Sequence, residues 1–302
     1  MQQTQAATVI PYFQRFVTQF PELPGLAAAE LDEVLALWSG LGYYARARNL
    51  HKTARICMEQ FDGRLPEEPE QLLALPGIGR STAHAIIAQA HDRRAAILDG
   101  NVKRVVARHG AIPGWPGKAA VINSLWEESE QRTPPDRARD YTQAIMDLGA
   151  TVCSARQPAC SVCPVSSDCH ALAQGRVNEF PARKPVRPRP ERRQEFLLLE
   201  NRFGEILLLR RPPSGIWGGL WCLPAVDETP GQPTAPNQLA DLVHDFSHFR
   251  LHMKIRHGRI DTDIVHDRDD LVWMSIERAL AAGLPRPVRQ VIEDLLESGK
   301  SR

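Results

Sequence analysis

Leu75-Pro76-Gly77-Ile78-Gly79-Arg80-Ser81 is the stretch on which the reading of this chain turns. A helical run from Pro69 to Leu75 leads into it, and Ser81 to Ala90 leads out with helical spacing. Gly77 and Gly79 permit positive φ and let the backbone approach a partner closely. The amides that open the second helix, with its dipole, suit a phosphate, and Arg80 adds charge. Such a hairpin is either a plain helix corner or a grip on a nucleic-acid backbone. About two helical lengths further on comes Leu98-Asp99-Gly100-Asn101, ahead of a helix from Val102 to Arg108. Asp99 reads as the N-cap of that helix, as a lone catalytic carboxylate, or as both.

The chain has 302 residues, enough for about two domains. Hydrophobic residues make up 43%, so a sizeable core can form. No apolar run reaches the roughly 18 residues that a membrane span needs. Met1-Gln2-Gln3-Thr4-Gln5 lacks the basic start of a secretory signal. The net charge of +1 decides nothing, but its distribution does. Between Arg80 and Lys118, seven basic residues (Arg80, Arg93, Arg94, Lys103, Arg104, Arg108 and Lys118) face only Asp92 and Asp99. Between Arg176 and Arg193, seven more face Glu179 and Glu191. Two such runs, one around a glycine hairpin, favour nucleic acid over a merely solvated face. Contacts of that kind position a protein on DNA without reading its sequence.

Cys57 and Cys222 stand alone in apolar surroundings and read as core residues. The other four cysteines form one cluster, Cys153-x6-Cys160-x2-Cys163-x5-Cys169. Without a secretion signal, such a cluster reads as a metal site and not as disulfides. Structural zinc usually takes two close cysteine pairs separated by a longer loop. Here one pair is close and all four ligands share a compact loop, a pattern that also suits a [4Fe–4S] cluster. Spacing alone leaves both metals open.

Along the chain, residues 1–20 carry Val9, Ile10, Phe13, Phe16, Val17 and Phe20 at helical spacing, and Pro21 to Gly25 reads as a loop. Leu31 to Trp38 is a short helix, Ser39 to Tyr44 a turn, and Ala45 to Phe61 a long helix with Leu50, Ala54, Cys57, Met58 and Phe61 on its inner face. Val121 to Glu130 and Asp140 to Gly149 are amphipathic helices. A Pro- and Arg-rich linker, 175–193, is expected to be extended. Strands follow: Glu195 to Leu199 and Glu205 to Leu209 around an Asn201-Arg202-Phe203-Gly204 turn, an alternating strand through Phe249, Leu251, Met253 and Ile255, and Leu271 to Met274. Pro287 to Leu296 is a final helix. The expected architecture is a mostly α domain over 1–174, with its hairpin at about 69–90 and its cysteine loop at 153–169, then the linker, then an α/β domain over 194–302.

The hairpin, the Leu98-Asp99-Gly100-Asn101-Val102-Lys103-Arg104 run and the cysteine spacing together resemble the helix-hairpin-helix DNA glycosylases that carry an iron–sulfur cluster. Within that superfamily the chain resembles, over nearly its whole length, the adenine glycosylases that excise adenine mispaired with 8-oxoguanine. The resemblance implies a [4Fe–4S] cofactor on Cys153, Cys160, Cys163 and Cys169. It implies double-stranded DNA with A·8-oxoguanine or A·G mispairs as partner. It also implies a cytoplasmic monomer of bacterial type that acts on the chromosome. Bifunctional relatives place a Schiff-base lysine just after Gly-x-Gly-Arg, where this chain has Ser81. A serine cannot form the imine that β-elimination requires, so hydrolysis without strand cleavage is expected.

By the same resemblance Asp99 faces the sugar and supports the cation, as one carboxylate does in glycosidases. Its partner glutamate is expected upstream of Gln2-Gln3-Thr4-Gln5, within about forty family residues that precede Met1, so only half of a carboxylate pair is legible here. Glu22 and Glu30 stand in the wrong context to replace it. The rival expectation is therefore a silent DNA- and lesion-binding protein. Gln3, Thr4, Leu41 and Tyr43 match positions around the orphaned base, with Tyr43 as a wedge or simply a turn aromatic. Ser81, Asn101 and Gln143 match positions near the flipped adenosine, whose extrusion costs a few kcal/mol; Gly77, Gly79, Arg80 and Lys103 match DNA-backbone positions. Arg211-Pro212-Pro213-Ser214-Gly215-Ile216-Trp217-Gly218-Gly219-Leu220-Trp221 resembles a Nudix-like domain. The Nudix metal box is missing after Leu223-Pro224, so no nucleotide hydrolysis is expected there. Phe246, Ser247 and His248 match a loop that inspects 8-oxoguanine, unless they simply start a strand.

Overall fold

The computed structural model describes residues 6–185, 188–229, 234–260 and 268–300. The helices are α1 (Ala6–Gln19), α2 (Leu23–Ala28), α3 (Leu31–Trp38), α4 (Ala45–Gln60), α5 (Pro69–Ala74), α6 (Arg80–His91), α7 (Gly100–His109), α8 (Ala119–Arg132), α9 (Ala138–Asp147), α10 (His170–Ala173), α11 (Ile276–Ala281) and α12 (Arg286–Lys300). The strands are β1 (Glu191–Glu200), β2 (Ile206–Arg210), β3 (Trp221–Cys222), β4 (Thr234–Asp245), β5 (Arg250–Arg259) and β6 (Leu271–Met274). Among the described residues, no helix is long and apolar enough to cross a membrane.

Packing gives two units: the described residues of Glu59–Val186, and those of Gln3–Met58 with Arg187–Arg302. Composition divides the chain near 174 and 194, whereas packing places α1–α4 with the sheet. The reason lies in one apolar cluster, which joins Val34, Leu35, Ala47 and Ala54 to Phe196, Leu220 and Ile255. Burying apolar surface sets unit boundaries more strongly than secondary-structure type does.

In the Glu59–Val186 unit, α5 opens on Pro69, whose missing amide has no helical partner to lose. It stops at Leu75, held extended by the following Pro76. Gly77 supplies a left-handed step (φ 79°). Gly79 does not: at φ −91°, ψ 173° it is the extended N-cap of α6. Helix α6 packs on α5 and α9, then turns at Asp92 (φ 50°) into the buried stretch Ala95–Leu98. Ile97, Leu98, Val102, Val105, Val106, Leu125, Ile145 and Phe180 form the core. A π-turn, Leu148–Val152, passes from α9 to the cysteine loop.

In the other unit the strand order is β3-β2-β1-β5-β4, with β6 on β2. Strands β1 and β2 form the expected hairpin, its turn closed by Asn201 Oδ1 accepting from the Phe203 and Glu205 amides, both at 2.9 Å. Strand β1 runs parallel to β5, with Glu191 opposite Arg250.

Several expectations need correction. Residues 23–28 are helical, because Pro24 and Gly25 sit in the first turn, where a missing amide costs nothing. The inner face of α4 is Ala47, His51, Ala54 and Cys57; Leu50 and Met58 are exposed. The linker begins packed: a 3-10 turn spans Val177–Glu179, Phe180 is buried, and β1 already starts at Glu191. Strand β4 escaped sequence reading because Pro236, Asn237, Gln238 and Asp241 are poor strand formers. It is an edge strand with register shifts, where proline is tolerated.

Candidate functional site

Asp99 caps α7: its Oδ1 accepts the Val102 amide at 2.8 Å. The cap and the candidate catalytic group are thus one side chain, and the cap bond uses Oδ1 alone. Ser81, on the first turn of α6, accepts the Leu98 amide at 3.0 Å through its hydroxyl. That bond ties the hairpin to the residue before Asp99. Asn101 follows in the first turn of α7, where its Oδ1 accepts from Arg104 at 2.9 Å. Gln143 is exposed on α9, bonded to Gln89 (3.1 Å) and Asp147 (2.9 Å), and no hydrogen bond joins it to Asp99 or Asn101 among the described residues.

The basic run looks different once its partners are known. Arg80 pairs with Glu130, and its guanidinium lies 3.9 Å from the Trp126 ring centroid. Arg93 meets Glu68, and Arg94 meets the Thr133 and Glu130 carbonyls. Arg104 and Arg108 point inward. Of the seven, Lys103 and Lys118 alone have no side-chain hydrogen-bond or ion-pair partner among the described residues. No side chain caps the start of α6 at Gly79, so the first amides of the helix lack a capping partner.

Arg108 is 3% exposed and donates to the carbonyls of Val177 and Phe180 (both 3.0 Å), Ser154 (2.7 Å) and Ala155 (3.2 Å). It also lies 3.3 Å from Cys153 Sγ. Arg104, one turn earlier, donates to the Cys153 carbonyl at 2.6 Å and to that of Gly149. Burial lowers the pKa of Arg104, and the nearby Cys153 opposes that shift. A signal for both roles was present in the sequence: the two arginines are four residues apart, around Val105 and Val106 on the buried side of α7. Cys153, Cys160, Cys163 and Cys169 line one small cavity with Val152, Pro158, Leu172 and Val177. Burial, then Cys153, Cys169 and Cys163, push the Cys160 thiol pKa up, and Arg108 opposes them. No three His, Cys, Asp or Glu side chains among the described residues cluster tightly enough to ligate a single metal ion. Cys57 and Cys222 are buried as expected, and burial pushes the Cys222 thiol to about 12.

A second cluster lies in the unit that contains the sheet. Tyr43 stands at φ 51° beside Gly42 (φ 76°) and is 51% exposed. The Arg46 guanidinium lies 5.4 Å from both the Tyr43 and Trp38 ring centroids. Leu41, in contrast, is 8% exposed; it packs inward and has little surface for a base. A cleft of about 540 Å³ joins the Tyr43 turn to Phe246, Ser247 and His248, with Arg48, Trp217 and His244 also in its walls. The Phe246 amide donates to the Phe249 carbonyl at 2.9 Å, closing a turn that leaves Ser247 and His248 exposed. Phe246 stacks on Phe249 (centroids 4.5 Å, 16°) and touches His244 and Trp217. Burial lowers the pKa of His244, against the pull of Asp245 and with the help of Arg286. Arg48, Trp217 and His244 were not singled out from sequence; only the glycine-flanked Trp217, at φ 54°, carried a hint. Gln3 and Thr4 lie outside the described residues.

Residues 1–131 match the HhH-GPD superfamily of base excision DNA repair proteins, and residues 195–294 match the NUDIX domain. The adenine DNA glycosylase of Buchnera aphidicola subsp. Acyrthosiphon pisum is 33% identical over 309 residues, covering 97% of this chain and 87% of that one. The Rattus norvegicus adenine DNA glycosylase is 37% identical over 313 residues, covering 83% of this chain and 61% of that one. A trapped endonuclease III–DNA covalent intermediate shares the fold, with a TM-score of 0.50 and 24% identity over 57% of this chain and 80% of that one. Matched over nearly its whole length by such relatives, with the HhH-GPD and NUDIX models falling on it in turn, this chain belongs to the adenine DNA glycosylase family of base excision repair enzymes.

Proposed function

We propose that this chain hydrolyses the N-glycosidic bond of adenine mispaired with 8-oxoguanine or guanine in duplex DNA, without cleaving the strand. Asp99 carries the reading. It is a carboxylate whose orientation is set by the Val102 amide and whose backbone neighbour is held by the hairpin through Ser81. The C1′–N9 bond breaks with its electron pair going to adenine, water adds to C1′, and the proton that water gives up balances the one adenine takes on; the fixed Asp99 carboxylate stabilises the positive charge that develops at C1′ in between. Ser81 has no amine, so no imine forms with the sugar. Gly77, Gly79 and Lys103 hold the DNA backbone, Asn101 and Gln143 border the extruded nucleotide, and Tyr43 wedges into the stack. Phe246, Ser247 and His248 read the opposite base, where the Ser247 hydroxyl accepts the N7–H that guanine lacks. We assign excision to the helical segment through residue 174 and lesion reading to 194–302.

The one compact cysteine loop suits a [4Fe–4S] cluster. Its four thiols line one shared cavity, and the Arg108 cation beside Cys153 offsets thiolate charge. Cys153, Cys160, Cys163 and Cys169 would hold the cluster, whose contribution there is to cross-link the loop.

The test is single-turnover adenine release from duplexes carrying A opposite 8-oxoguanine, guanine or thymine. Release is expected from the first two, with no strand break before alkali, and it is lost in Asp99→Asn while duplex binding remains. Binding without release by the unaltered chain would reduce it to a lesion-binding protein. A brown protein with iron and labile sulfide in equal amounts supports the cluster; a colourless, zinc-containing one refutes it.

A further inference from the structure

The stretch Ala95–Leu98 is buried, yet it belongs to no helix and no sheet. Buried backbone groups must pair somewhere. Here side chains from two helices pair them, one residue at a time. His84 Nδ1, from α6, lies 2.6 Å from the Ala96 carbonyl oxygen. Ser129, from α8, donates its hydroxyl to the Ile97 carbonyl at 2.8 Å. Ser81, again from α6, accepts the Leu98 amide. Three successive residues are thus fixed individually, and the next is Asp99.

We propose that His84 and Ser129 are positioning residues that, with Ser81, set where Asp99 stands. The inference rests on the reading of Asp99 as the catalytic carboxylate. A carbonyl can only accept, so the proton of the His84 contact is on Nδ1. Ser129 is 1% exposed, and its own carbonyl accepts both the hydroxyl (2.7 Å) and the amide (3.1 Å) of Thr133, which close the end of α8. The His84 ring packs edge-on against Trp126 of α8 (centroids 5.9 Å), so the two clamps brace one another. A ladder of strand bonds would share its load among many residues. These clamps do not: loss of either frees one peptide next to the active carboxylate. Since Asp99 Oδ1 is bonded to the Val102 amide, a shift of the 96–98 backbone strains that cap or turns the carboxylate. A displacement of about 1 Å can cost about a hundredfold in rate.

The experiment compares Ser129→Ala, His84→Leu and His84→Asn with the unaltered chain and with Asp99→Asn. The amide nitrogen of the asparagine takes the place of Nδ1. Single-turnover excision is expected to fall about ten- to a hundredfold in Ser129→Ala and His84→Leu, with duplex Kd changed less than about twofold, and to recover in His84→Asn. Hydrogen exchange of the Val102 amide, read on the free protein, is expected to quicken in the two deletion variants while α5 and the strands are unaffected. Exchange does not depend on the catalytic reading, and it is measurable even if one variant folds poorly. Normal excision and unchanged Val102 exchange in both variants, with Asp99→Asn inactive, overturn the positioning role alone. An Asp99→Asn variant that excises at the normal rate overturns the catalytic reading itself. Loss of rate matched by equal loss of duplex affinity, with no rescue by asparagine, marks the pair as merely structural and also overturns the proposal.

Discussion

Gly149→Ala tests whether the contact between the π-turn and α7 governs both stability and chemistry. A Cβ at residue 149 would lie 2.7 Å from Asn101 Cβ, 2.9 Å from its carbonyl oxygen and 3.0 Å from its carbonyl carbon. Two of these atoms are backbone, so no rotamer change relieves the clash. Carbon atoms pack best at about 3.5–4.0 Å, so the turn and the helix must part by roughly 1 Å. Overpacking of this kind costs about 1–3 kcal/mol. Removing a helical glycine returns roughly 0.5–1 kcal/mol, and the clash still prevails. The net loss of about 1–2 kcal/mol lowers the melting temperature by roughly 2–8 °C at about 2–4 °C per kcal/mol. Because Asn101 is two residues from Asp99, excision should fall by about tenfold or more. Gly25→Ala serves as the control: no atom lies within 4 Å of its added Cβ, so stability should hold or rise. Thermal unfolding and single-turnover excision measure both effects. A Gly149→Ala protein that melts no lower than the original and excises normally would refute the argument.

Arg108→Met should lower the urea-unfolding free energy by at least about 3 kcal/mol, because several buried carbonyls each lose a charged donor at about 1–3 kcal/mol. A loss below about 1 kcal/mol would show that water replaces the guanidinium. Burial holds the pKa of His244 below the usual histidine value, and that of His109 likewise, with Arg132 adding to the shift at His109. The unfolded chain therefore binds more protons as pH falls. The stability these histidines contribute is fully present above about pH 6.5 and is lost as pH drops through their folded-state values. The melting temperature should fall between about pH 7.5 and pH 5.5, and His244→Gln should flatten part of that slope. An identical slope in the variant would remove His244 from the account.

The glycine hairpin, the capped Asp99, the β1–β2 turn and the cysteine spacing were all legible because each depends on residues close in sequence. Proline sets where a helix begins and ends, glycine permits a left-handed step, and an aspartate three residues before an amide can cap it. The same local logic failed where partners come from afar. Arg80, Arg93, Arg94, Arg104 and Arg108 look alike as letters in a basic run, yet Glu130, Glu68 and the carbonyls of the cysteine loop engage all five. Strand β4 was invisible because β5, not its own composition, makes it a strand.

The sequence by itself determined that a hairpin meets a carboxylate, that no lysine stands at Ser81 to form an imine, and that four thiols share one loop. Tertiary structure alone decided that the Tyr43 turn and the Phe246-Ser247-His248 turn line one cleft, and that α1–α4 pack with the sheet. It also decided that residues 96–98 are gripped from α6 and α8. The division follows from the interactions themselves. Backbone conformation and capping act over a few residues and leave a local mark, whereas burial pairs groups without regard to their distance along the chain.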